Sequence, residues 1–122
     1  MESCDLTGRV ILVTEEEPLI ALDLRTALEA AGARVVSMTP REGAQAAARQ
    51  TFSAAILDLR PGSNDHRPIA RRLKQRDTPF LFYGTHPPDD VTTVRGAPVL
   101  LKPGRPGEIV RAVAMLLRAG RT

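Results

Sequence analysis

Short apolar runs recur along the chain, and segments with helical spacing lie between them. Arg9-Val10-Ile11-Leu12-Val13 is β-branched and apolar and reads as a first strand. Ala33-Arg34-Val35-Val36-Ser37-Met38 reads as a second, and Ser53-Ala54-Ala55-Ile56-Leu57-Asp58-Leu59 as a third, buried on both faces. Pro79-Phe80-Leu81-Phe82-Tyr83 and Pro98-Val99-Leu100-Leu101 give a fourth and a fifth. Between the first two strands Ile20, Leu24, Ala27, Leu28 and Ala31 fall on one helical face, with Asp23, Arg25 and Glu29 outside. Pro18 suits the first turn of that helix, Glu15, Glu16 and Glu17 complement its dipole, and Gly32 predicts a left-handed cap. Thr39-Pro40-Arg41-Glu42 predicts a capping box opening an alanine-rich helix that runs to about Gln50. Pro68 to Arg76 predicts a short helix with Ile69, Ala70 and Leu73 inward, and Asp89 to Arg95 allows at most a turn or two. Pro106 opens a last helix in which Ile109, Val113, Leu116 and Leu117 share a face.

Strand and helix alternate five times. That order predicts an α/β fold: a single-domain (βα)5, doubly wound, five-stranded parallel sheet of flavodoxin-like topology. The expected boundaries are an N-terminal arm over residues 1–8, the domain over 9–118 and a C-terminal tail over 119–122.

A chain of 122 residues suffices for one core, and with aromatics at 3% that core must be aliphatic. Cys4 stands alone, so no internal disulfide forms. With no long apolar run and no basic, apolar leader at Met1-Glu2-Ser3-Cys4-Asp5, the expected location is the cytoplasm, with no membrane partner. The net charge of +3 comes from bases dispersed among acids, with no basic tract or stacking aromatics, which disfavours a nucleic-acid partner.

In a parallel sheet the residues that follow each strand meet at one edge. Here they are Glu15 and Glu16, then Asp58, then Gly84 and Thr85, then Lys102. Any one of them has an ordinary explanation. Glutamates before a helix complement its dipole, a lysine before proline is a surface lysine, and a threonine in a turn is a turn residue. Together they form three carboxylates, a hydroxyl and an ammonium at one rim. Oxygen donors without cysteine suit a hard cation such as Mg²⁺. An ammonium beside them offsets carboxylate repulsion and binds phosphate oxygens. Such a rim can make an aspartate a phosphoryl acceptor.

Over nearly its full length the chain resembles the receiver domain of two-component response regulators. The resemblance rests on Val10-Ile11-Leu12-Val13 with Glu15-Glu16-Glu17-Pro18-Leu19-Ile20-Ala21-Leu22, on Ala55-Ile56-Leu57-Asp58, on Thr78-Pro79-Phe80, and on Pro98-Val99-Leu100-Leu101-Lys102-Pro103. It implies that Asp58 accepts phosphate from a sensor kinase histidine. It further implies that Glu15, Glu16 and Asp58 hold Mg²⁺ with the backbone carbonyl of Arg60, and that Lys102 contacts the phosphoryl group. The implied partners are a sensor histidine kinase or histidine phosphotransfer protein and an output protein of unknown identity; a homodimer stays open. The implied docking face joins the short fourth helix, the fifth strand and the last helix, and carries Arg95, Arg105, Arg111 and Arg118.

The chain departs from the family pattern at several positions. Glu16 replaces the usual aspartate, Gly84 stands at the switch hydroxyl with Thr85 one residue late, Val99 replaces the switch aromatic, and Gly104 replaces a common phenylalanine. The expectation is a stand-alone response regulator, not an enzyme beyond its own phosphorylation chemistry, with weak conformational switching. The alternative is a pseudo-receiver that binds partners without phosphorylation. A flavin or nucleotide binder is disfavoured because no Gly-rich loop follows the first strand.

Overall fold

A computed structural model describes residues 5–60, 64–85 and 97–119. Five strands form one parallel sheet: β1 (Val10–Thr14), β2 (Arg34–Ser37), β3 (Ala54–Leu59), β4 (Phe80–Gly84) and β5 (Val99–Leu101), in the order β2-β1-β3-β4-β5. Four helices accompany them among the described residues: α1 (Pro18–Ala30), α2 (Pro40–Arg49), α3 (His66–Gln75) and α4 (Pro106–Ala119). This is the doubly wound sheet that the alternation predicts. The short helical stretch expected over residues 89–95, with Arg95, lies outside the described residues.

Alternating side chains divide the core into two layers. Ile11, Val13, Ala54, Ile56, Leu81 and Tyr83 face α1 and α4, where they meet Leu24, Leu28, Ile109 and Val113. Leu12, Ala55, Leu57, Phe80 and Phe82 face α2 and α3, where they meet Ala46, Ala47, Ile69 and Leu73. Two of the predicted helix signals hold, while the first turn of α1 carries no acid because Glu15 and Glu16 precede it. Thr39 accepts from Glu42 N while Glu42 accepts from Thr39 N, closing the capping box, and Gly32 takes a positive φ of 100°.

Several expectations shift. Leu6, assigned to an arm, is buried in the α1/α4 layer, and its N–H donates to Ala31 O at 2.8 Å. Helix α3 opens at His66, two residues before Pro68, which leaves the proline in the first turn where its missing N–H costs nothing. Pro98 precedes β5 because it has no N–H for the ladder, yet its carbonyl still accepts from Phe82 N.

Candidate functional site at the carboxyl edge of the sheet

Each strand delivers a side chain or an anchor to the same edge. Strand β1 ends at buried Thr14, and Glu15 begins the loop into α1. The Glu15 carboxylate accepts from Glu17 N at 3.1 Å, which turns it back toward the sheet. Asp58 is the penultimate residue of β3 and pairs with Tyr83 across the ladder. Lys102 follows β5, and its N–H donates to Gly84 O at 2.8 Å, so the lysine is tied to the end of β4. Tyr83 secures the same loop: its hydroxyl accepts from Gly104 N at 2.7 Å, and its ring lies 5.5 Å from the Lys102 ammonium.

These anchors assemble five charged groups in two layers. The inner layer is Lys102 between two acids, with Nζ 2.7 Å from Asp58 Oδ1 and 2.7 Å from Glu15 Oε1. Its side chains are 11%, 5% and 2% exposed for Lys102, Asp58 and Glu15. The outer layer is Arg60, with Nε donating to Asp58 Oδ2 at 2.9 Å and Nη2 2.8 Å from Glu16 Oε2. Burial pulls the Lys102 ammonium down, but its contacts with Asp58 and Glu15 outweigh this and the net shift is upward. The Arg60 guanidinium is pushed further up by its hydrogen bond to Asp58.

The expected residues Glu15, Glu16, Asp58 and Lys102 are therefore brought together. Thr85 directly follows β4 and is exposed. The sequence reading used Arg60 only for its carbonyl and missed its side chain. The available signal was its position, two residues beyond the strand-end aspartate, where a long cation can reach back. Gly84 is smaller than the family pattern for a steric reason. A Cβ there would lie 2.9 Å from Leu59 O and 3.1 Å from Leu59 Cβ.

Among the described residues no three or more acidic or histidine side chains stand ready as a metal cage. Mg²⁺ asks for less, since one or two carboxylates suffice while it keeps its waters. The donor set fits that requirement. It is all oxygen, and buried Glu15 Oε1 has no directed hydrogen bond although Lys102 stands at ion-pair distance.

Comparison with known structures identifies the architecture. The response regulator receiver protein of Sinorhizobium medicae superposes with a TM-score of 0.78 at 20% identity, covering 94% of this chain and 98% of that one. The fold is that of a response-regulator receiver domain. The receiver domain of a sensor histidine kinase from Pseudomonas aeruginosa PAO1 gives a TM-score of 0.78 at 20% identity, over 92% of this chain and 99% of that one, and that structure has a magnesium ion coordinated in its active-site cleft. In sequence, the Phyllosphere-induced regulator PhyR of Methylorubrum extorquens is 30% identical over 114 residues, which is 88% of this chain. The receiver-like chain spans about 43% of that regulator's length. No family model matches the chain. The resemblance read from the sequence thus holds for the fold and for a response-regulator relationship. No helix among the described residues is long and apolar enough to cross a membrane.

Proposed function

We propose that the protein is a response regulator that accepts a phosphoryl group on Asp58 from a phosphohistidine of a sensor kinase or phosphotransfer protein. The observation that supports this most is the setting of Asp58: a strand-end carboxylate, 5% exposed, with a cation on each oxygen and Glu15 sharing one of them. In the proposed step an Asp58 oxygen attacks phosphorus, the P–N bond of the phosphohistidine breaks, and the imidazole leaves with that electron pair. Lys102 holds Asp58 oriented and offers its remaining N–H to a phosphoryl oxygen. Glu15, Glu16, Asp58 and the Arg60 carbonyl are the groups that would hold Mg²⁺, which when bound neutralises phosphate charge.

Output follows from partner binding or onward phosphate transfer more than from a shape change. Thr85 takes the switch role only if the end of β4 shifts to bring its hydroxyl to Asp58. At Gly84 there is no hydroxyl, and at Val99 there is no ring to turn inward. Coupling from Asp58 to the exposed face carrying Arg105 and Arg111 is accordingly at or below the low end of the usual ~1–3 kcal/mol. That basic face suits an acidic partner. The test of the proposal is incubation with Mg²⁺ and a small acyl-phosphate donor, read by intact mass, with Asp58→Asn as the control that must stay unmodified.

A further inference from the structure

The Arg60 side chain spans the two outer carboxylates with one guanidinium, Nε on Asp58 and Nη2 on Glu16. Its planar fork matches paired oxygens in a way a point charge does not. At 49% exposure it forms the solvent side of Asp58, while Lys102 holds the inner side through Oδ1. Both oxygens of the aspartate thus carry a cation supplied by the chain itself.

We propose that Arg60 is a resident cation that competes with a divalent metal for Asp58 and Glu16 and thereby sets the metal affinity of the site; this rests on the phosphoacceptor reading above. Three carboxylates against Arg60 and Lys102 leave the cluster one net negative charge. With Arg60 turned away the cluster carries two, the complement of a divalent cation. Arg60 is able to leave, because its guanidinium is half-exposed and its pair with Glu16 is exposed on both sides, where ion pairs are weak. Lys102, only 11% exposed and shared between two acids, stays. Metal entry is therefore an exchange in which the guanidinium gives up its two carboxylates.

The test is a Mn²⁺ titration of the metal-free protein, read as loss of the free-ion electron paramagnetic resonance signal, on the parent, Arg60→Ala and Arg60→Gln. Two ion pairs made by one half-exposed guanidinium correspond to roughly tenfold in an equilibrium constant. Both variants are therefore expected to bind Mn²⁺ about tenfold more tightly, with thermal midpoints close to the parent's. Equal or weaker binding in the variants overturns the competition. Phosphate uptake by Asp58, measured by mass on the same samples, tests the phosphoacceptor reading separately. Absence of Mn²⁺ binding in all three proteins overturns the competition and the metal part of that reading together.

Discussion

Placing the family's hydroxyl at position 84 should damage this protein rather than restore a switch. Gly84 is buried and pairs with Leu59, and an added Cβ would lie 2.9 Å from the Leu59 carbonyl oxygen. The obstacle is the backbone of the neighbouring strand, which cannot rotate aside as a side chain would. Forcing atoms into such a site costs about 1–3 kcal/mol. Gly84 does not have positive φ, so losing glycine's freedom in the unfolded chain returns about 0.4–1 kcal/mol. The net expectation for Gly84→Ala is a loss of about 1–2 kcal/mol, and Gly84→Ser should lose at least as much. For 122 residues, an unfolding entropy of about 2.1 cal/mol/K per residue converts each kcal/mol into roughly 4 °C of midpoint. Thermal and urea unfolding followed by circular dichroism would read this as a midpoint about 4–8 °C lower. Because Gly84 O receives the Lys102 N–H, the strand displacement should also reach the charged site. A Gly84→Ala or Gly84→Ser protein as stable as the parent would refute the argument that β3 and β4 approach too closely here for a side chain.

Two further outcomes follow from the same contacts. Lys102 has a raised pKa in the folded state, so its contribution to stability is complete below its ordinary value of 10.5 and is lost as pH rises through the folded value. Unfolding measured from pH 7 to 11.5 should show an alkaline decline that is smaller in Lys102→Met, and that variant should lose about 3–5 kcal/mol near neutrality, since two buried carboxylates are left without their shared cation; an identical alkaline profile in parent and variant would contradict this. Tyr83→Phe removes the acceptor for Gly104 N and should cost about 0.5–1.5 kcal/mol in urea unfolding, while loosening the Lys102 loop as read by faster amide exchange at Gly104; unchanged exchange there would mean that the hydroxyl does not fix the loop.

The fold was legible because its signals are local and repeated. Apolar runs such as Val10–Val13 and Ala54–Leu57 carry the strand pattern themselves, and the capping box at Thr39 and Glu42 marks its helix within four residues. The acidic, basic and strand-end positions of the rim were legible for a topological reason: parallel strands send their carboxyl ends to one edge, so Glu15, Asp58 and Lys102 meet wherever the loops are short. What stayed hidden depends on tertiary distance. Leu6 sits alone between Asp5 and Thr7, and one apolar residue shows no period, so its burial against α1 and α4 could not be read. The Arg60 guanidinium could have pointed anywhere from its loop, and only the placed carboxylates of Asp58 and Glu16 select its direction. Gly84 read as a missing hydroxyl; its close approach to Leu59 is a property of strand spacing that sequence does not express.

The central claim is that Asp58 is the phosphoryl acceptor. The most direct measurement is to incubate the protein with Mg²⁺ and a small acyl-phosphate donor, reduce the product with borohydride, and locate the reduced residue by peptide mass spectrometry. The account predicts one modified residue, at position 58, formed only with the divalent cation present and absent from Asp58→Asn. Phosphate incorporated elsewhere, or incorporated equally in Asp58→Asn, would contradict it.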